Sequence, residues 1–345
     1  MNEPADTTLD VGILVDSEFV EQWQRDALDR LVRELDAEIT TVVVNDQETD
    51  ADRDRDVTTE LRDAVERLRT YPLWSLLGVV RTLTDDPAHE QPVRVDSVPG
   101  VASAEWVSCT TQTVDKYWET FPAGTVELLA ETDIVVRFGF GMIKGDVLEA
   151  PTHGVVSYHM GDIREYRGQP GGFWEFLNSE SEMGVTVQRL TETLDGGEIA
   201  ALERFDISQS HTYQAVWRRA HDRATTLLVP AVRTLTREDR CLRAPDELGT
   251  LYSMPEGADV VRYLCKNTRG RIRSRIWDAA TTDREASLAV TVLLLVTGAL
   301  LTTARPVLGD RSRRTVHPEQ LLGAGLLGVS LLRMGRRDRT GLPLP

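Results

Sequence analysis

Short apolar runs alternate along this chain with polar stretches of helical spacing, and that alternation predicts a parallel α/β sheet. Residues 11–15 (VGILV) are an unbroken apolar run closed by Asp16 and Ser17, the pattern of a strand buried on both faces. Residues 20–35 place Leu28, Leu31, Val32 and Leu35 on one helical face, with Ser17 as the expected N-cap. A second strand is expected at 39–44. An acidic linker follows at 45–56, then helix at 57–83 interrupted near Tyr71 and Pro72, and loop at 85–98. Residues 125–131 predict a helix running into a buried strand at 133–138. Strands are expected again at 154–158 and 184–190, around a helix near 173–178, and 211–235 predicts a long amphipathic helix. No GxGxxG follows the first strand, so a dinucleotide fingerprint is absent.

The pattern changes near the C-terminus. From Ala286 to Ala304 there are 19 consecutive uncharged, mostly apolar residues, close to the ~20 that cross a bilayer core. A shorter apolar run, 321–332, is expected to span, re-enter or lie at the interface. Arginines flank both runs, which leaves their orientation undecided, and anionic headgroups are the expected partner of the basic patch.

Charge divides the chain in the same place. The 345 residues carry a net −16, yet residues 266–345 hold 14 basic against six acidic side chains, and residues 1–265 a net −24. Only three lysines (Lys116, Lys144, Lys266) stand beside 36 arginines. Strong acidity with scarce lysine predicts solubility in very high salt; a plain solvated acidic surface is the alternative. An acidic body repels phosphate backbones, so no nucleic-acid partner is expected for 1–265. Cys109, Cys241 and Cys265 lack metal-type spacing and read as small buried hydrophobes in a reducing compartment. Residues 1–10 are polar and acidic, unlike a secretory signal.

The chemistry is concentrated in one frame: SYH at 157–159, YRG at 166–168, GVT at 184–186 and LDGG at 194–197. A His and an Asp at successive strand ends make a proton-handling pair. Over residues 133–199 the sequence resembles the formyltransferases that use 10-formyltetrahydrofolate: methionyl-tRNA, glycinamide ribonucleotide and amino-sugar N-formyltransferases. From His159 to Asp195 the pattern of that family lies down without a gap, with Arg167, Gly168 and Trp174 in place. The resemblance implies a Rossmann-like sheet over 1–205, followed here by a helical extension at 206–265 and a basic, membrane-associated tail at 266–345. It implies His159 as the group that polarises the formyl oxygen and Asp195 as its partner and the holder of a water for proton transfer. Phe138, Phe140, Met142 and Ile143 match the stretch that holds the folate pterin, and Thr193 lies in the loop that closes over it.

The frame departs from the family twice. Where the family has Asn two residues before the His, this chain has Ser157, whose hydroxyl can still donate one hydrogen bond. Where the family has Ser-Leu-Leu-Pro after the His, this chain has GDIR, so Asp162 and Arg164 are expected to give the acceptor loop a charged lining. His153 and His159 with Asp162 and Glu165 have neither helical nor hairpin ligand spacing, and no metal is expected. The expected activity is N-formyl transfer to the amine of a small molecule, such as a nucleotide- or lipid-linked amino sugar, at the cytosolic face of the cell membrane. The alternatives are a formyltetrahydrofolate hydrolase and a non-catalytic, membrane-tethered folate- or ligand-binding protein.

Overall fold

The computed structural model describes residues 8–46 and 88–282, apart from Lys116, Glu238, Arg240, Cys241 and Arg243, with side chains through Ser274. The helix expected at 57–83 and the apolar runs at 286–304 and 321–332 lie outside the described residues. Among the described residues, no helix is long and apolar enough to cross a membrane.

Strands β1 (Leu9–Val15), β2 (Phe19–Glu21), β3 (Ala37–Asn45), β4 (Pro92–Arg94) and β5 (Glu105–Cys109) come first, with helix α1 (Gln22–Glu34) between β2 and β3. Then follow β6 (Gln112–Val114), β7 (Trp118–Thr120), α2 (Ala123–Leu129), β8 (Ile134–Arg137), β9 (Met142–Ile143), β10 (Val155–His159), β11 (Tyr166–Gly168) and α3 (Phe173–Asn178). Strands β12 (Glu182–Arg189) and β13 (Glu198–Asp206), helix α4 (Tyr213–Thr236), β14 (Thr250–Tyr252) and α5 (Gly257–Thr282) complete the order.

Seven strands form the central sheet in the order β13-β12-β10-β8-β1-β3-β5. The sheet is mixed, which corrects the all-parallel expectation: β5, β3, β1, β8 and β10 run parallel, whereas β12 is antiparallel to β10 and β13 to β12. The reason lies in the connection. A parallel return needs a crossover long enough to traverse the sheet, but between β10 and β12 the only helix has six residues, roughly 9 Å at 1.5 Å per residue. The chain therefore stays at the carboxyl end of β10 and β12 runs back down.

Alternation along β1 sends Val11, Ile13 and Val15 into a core beneath α1 and α4, and Leu14 into a second core with Leu129 of α2, Val135 and Val155. Both faces are covered, which is why the strand reads as an unbroken apolar run. Helix α4 belongs to the first core through Val216, Ala220, Leu227, Leu228, Val232 and Leu235, so residues of the expected extension pack directly on the sheet.

Two smaller expectations are corrected. Helix α1 begins at Gln22, because Phe19–Glu21 pairs with Pro92–Arg94. The Gln24 side chain reaches back to the Glu21 N–H at 2.9 Å, and Ser17 bonds Phe19 instead of capping the helix. Cys109 is buried, but Cys265 is exposed.

Candidate active site

Parallel strands that end at one edge deliver their last side chains to one place. At the carboxyl edge of β1, β8 and β10 stand Asp16, Arg137 and His159. Ser157 and His159 are two residues apart and so share a face of β10. The turn between β12 and β13 brings Asp195 across, in a left-handed conformation with φ +43°, which Asp tolerates better than most residues. His159 Nδ1 lies 3.4 Å from Asp195 Oδ1, and His159 Nε2 lies 2.9 Å from the Tyr166 carbonyl oxygen. The Gly168 N–H donates to Asp195 Oδ2 at 2.9 Å. Arg167 donates to the Leu194 and Gly249 carbonyls, both at 2.9 Å, pinning the turn that carries the aspartate. The His159 side chain is 8% exposed and that of Asp195 19%, so the pair opens to solvent on the aspartate side.

The charges are arranged to persist. Burial opposes protonation of His159, but the hydrogen bond and charge of Asp195, with the Tyr166 carbonyl, outweigh it and raise the imidazole above 6.5. Burial likewise opposes ionisation of Asp195, and His159, the Gly168 N–H and Arg167 outweigh it, holding the carboxyl below 3.8. The arrangement is an imidazolium–carboxylate couple.

Three groups absent from the sequence expectations complete the surroundings. Arg137 donates from Nη1 to Ser157 Oγ at 2.9 Å, from Nε to the Phe140 carbonyl at 2.9 Å, and from Nη2 to the Gly141 carbonyl. Asp16 receives the Phe140 N–H at 2.6 Å, which fixes the turn at 138–141. Glu175 of α3 is buried, burial pushes its carboxyl up to about 7 against the pull of His159, and among the described residues its Oε1 has no hydrogen-bond partner. Each had a faint signal: Asp16 and Arg137 close apolar strands, and Glu175 is the lone charge in FWEFL.

Other expected site residues lie elsewhere than a crevice lining. Phe140 and Ile143 are 1% and 3% exposed and pack in the second core, Phe140 with its ring centroid 4.9 Å from that of Phe121. Phe138 packs against Trp23 and Tyr158 at 5.9 and 6.0 Å. The side chains of Phe140 and Ile143 are consumed by the core, which leaves half-buried Phe138, exposed Gly141 and half-buried Met142 as the accessible part of this stretch. At Gly139 a Cβ would meet the Asp16 nitrogen at 2.3 Å, so the close approach demands glycine there. Thr193 is exposed, and its carbonyl accepts the Gly196 N–H at 3.1 Å. Asp162 is 2% exposed and turns inward: it bonds the Arg164 guanidinium at 2.7 Å and faces Arg204 at 3.5 Å. Of the charged lining expected from Asp162 and Arg164, the carboxylate is thus buried against its cations, as a carboxylate buried this deeply requires, while the Arg164 side chain stays 45% exposed. Among the described residues no group of three or more His, Cys, Asp and Glu is placed to hold a metal.

Residues 119–232 match the sequence model of the family described as Formyl transferase. This segment belongs to the formyltransferase family. It contains Ser157, His159, Asp195, Arg137 and Glu175. A methionyl-tRNA formyltransferase of Listeria welshimeri is 33% identical over 86 residues, covering 24% of this chain and 28% of the relative. The chain thus spans little more than a quarter of that relative's length. Among solved structures, the formyltransferase segment lies in a chain similar to an N-formyltransferase from Helicobacter canadensis in complex with folinic acid and dTDP-3-aminofucose: TM-score 0.42, 13% identity, 72% of this chain and 71% of that one. A formyltetrahydrofolate deformylase from Pseudomonas syringae gives TM-score 0.44 at 17% identity, over 72% of this chain and 67% of that one.

Proposed function

We propose that the protein is an N-formyltransferase that moves a formyl group from 10-formyltetrahydrofolate to the amine of a small molecule. The observation that carries this reading is the His159–Asp195 couple at 3.4 Å, inside a segment of the formyltransferase family. In the reaction the amine nitrogen bonds to the formyl carbon, the carbon–nitrogen bond to the folate breaks, and the proton released by the amine passes to the folate nitrogen. The residues of this chain divide the work. Asp195 keeps His159 charged and, from its solvent-facing side, orients a water for the proton. Both ring nitrogens of His159 are engaged, so it donates to a developing oxyanion only by releasing the Tyr166 carbonyl. Arg137 is better provided, since its three bonds among the described residues leave one N–H on Nη1, beside Ser157, and one on Nη2. Arg137 and Ser157 together take the place of the Asn that the family carries at position 157. Charge aimed at the oxyanion in a water-poor site is the strongest form of such assistance.

The acceptor we infer is a nucleotide- or lipid-linked amino sugar, handled at the cytosolic face of the cell membrane. The apolar run at 286–304 supports that location. The test is to incubate the full chain with 10-formyltetrahydrofolate and a panel of amino-sugar nucleotides, measuring formylated product and formate separately. Product that requires His159 supports transfer. Formate released at the same rate with or without an amine marks hydrolysis, and neither product marks a binding protein.

A further inference from the structure

A charged concavity lies apart from the His159 couple, and none of Ser157, His159 or Asp195 lines it. It measures about 380 Å³ and is walled by the end of α3, the segment after β13 and one face of α5. Lys266, Arg269, Gly270 and Arg273 recur at the spacing that puts them on one side of α5. Gly270 explains how that face comes so close: a Cβ there would stand 1.6 Å from the His211 carbonyl oxygen, so the helix backbone rests on the 207–212 segment. Lys266 is fixed in place, donating to the Phe176 carbonyl and, at 2.8 Å, to Ser179 Oγ, with its ammonium 4.7 Å over the Phe176 ring. The lining also holds the hydroxyls of Ser208 and Ser210, and among the described residues the buried Ser210 Oγ has no hydrogen-bond partner. Glu180, the one carboxylate in the lining, takes the Tyr166 hydroxyl at 2.7 Å. Among the described residues no carboxylate forms an ion pair with Lys266 or Arg273, in a body that is otherwise strongly acidic.

Three cations on one helix face, donor hydroxyls in the same lining and room for more than one tetrahedral anion suit a single ligand chemistry. We propose that this cavity binds a phosphate-bearing molecule, with Arg269 and Arg273 clasping the phosphoryl oxygens, Lys266 as a fixed point charge and Ser210 as a hydroxyl donor. The proposal is independent of formyl transfer. The same chemistry is offered by a soluble phosphate ester and by a phospholipid headgroup.

The test is calorimetric titration of the full chain with inorganic pyrophosphate at constant high ionic strength, repeated in the presence of phosphatidylglycerol or phosphatidylcholine vesicles. Saturable pyrophosphate binding that Arg273→Gln weakens about tenfold, and Arg269→Gln with Arg273→Gln abolishes, supports the site. Arg273 is exposed, so the single variant is expected to keep the unliganded melting temperature. His211 supplies a local readout. Burial and the charge of Arg273 hold its imidazole below 6.5, and a bound anion raises it, seen as an upward move of its NMR titration midpoint. Competition by phosphatidylglycerol vesicles but not phosphatidylcholine assigns the phosphate to a headgroup; no competition assigns it to a soluble ester. Binding no tighter than the double variant's, or a His211 midpoint that pyrophosphate leaves unmoved, overturns the proposal.

Discussion

Two aspartates flank the same strand pair and meet opposite fates. Asp162, just after β10, is closed off by Arg164 and Arg204 and by the Arg164 N–H at 3.1 Å. Asp195, in the turn after β12, is met by an imidazole and one backbone N–H and keeps an open side. Both carboxyls are held below 3.8 against the cost of burial. Only the second is ionised by a partner that can itself gain or lose a proton near neutrality. A guanidinium makes a buried carboxylate structural, and an imidazole makes it available for chemistry. Glu175 shows the third outcome: buried, and with Oε1 unpaired among the described residues, it retains its proton up to about pH 7 despite the pull of His159.

The comparison breaks first at Asp195. Asp195→Asn is expected to lower formyl transfer by about 10²–10⁴-fold, the range for a lost acid–base group. Burial then acts on His159 opposed only by the Tyr166 carbonyl and Glu175, so NMR titration should find its midpoint lower than in the wild type. A midpoint that stays raised would mean that the couple does not set the histidine's charge. In the wild type, Asp195 adds stability above pH 3.8 and loses it as pH falls through its folded value; His159 adds stability below pH 6.5 and loses it as pH rises through its own. The couple's full contribution to chemical-denaturation stability therefore falls between those two values.

Arg137→Gln comes next, with an expected loss of about 10²–10³-fold in kcat, the cost of one oxyanion donor. An unchanged kcat would return the electrophilic role to His159 alone. Glu175→Gln should act on stability instead. The carboxyl is protonated in the folded state up to about 7 but ionises near 4.5 when unfolded. Its protonation therefore favours folding at low pH, and the advantage fades between those values. The amide should leave acid stability unchanged and stabilise the protein above pH 7 by up to roughly 3 kcal/mol, read as a higher urea midpoint. A midpoint unchanged at pH 8 would show that Glu175 finds a partner on ionising. The smallest effect is expected of Asp162→Asn, about 2 kcal/mol of lost stability, with kcat unaltered. A fall in kcat matching that of Asp195→Asn would erase the distinction between the two aspartates.

The local code of this chain was enough for β1, β3, β8, β10, α3 and α4, since each is an apolar run or a helical stripe whose period survives in any context. It was also enough to bring His159 and Asp195 together, because the spacing of a whole frame carries information that a lone histidine lacks. What escaped it depended on partners distant in sequence. The short strands Glu105–Cys109 and Thr250–Tyr252 are held by β3 and β11 and have little period of their own. The reversal of β12 follows from how short α3 is. Whether an aromatic or an acid lines a site or fills the interior is decided by what packs over it: Phe140 meets Phe121, Asp162 meets Arg204 and Ser157 meets Arg137. Sequence sets the residue types and their period along the chain, but desolvation and pairing act across the fold, so the tertiary structure alone assigned these charges and rings to chemistry or to the core.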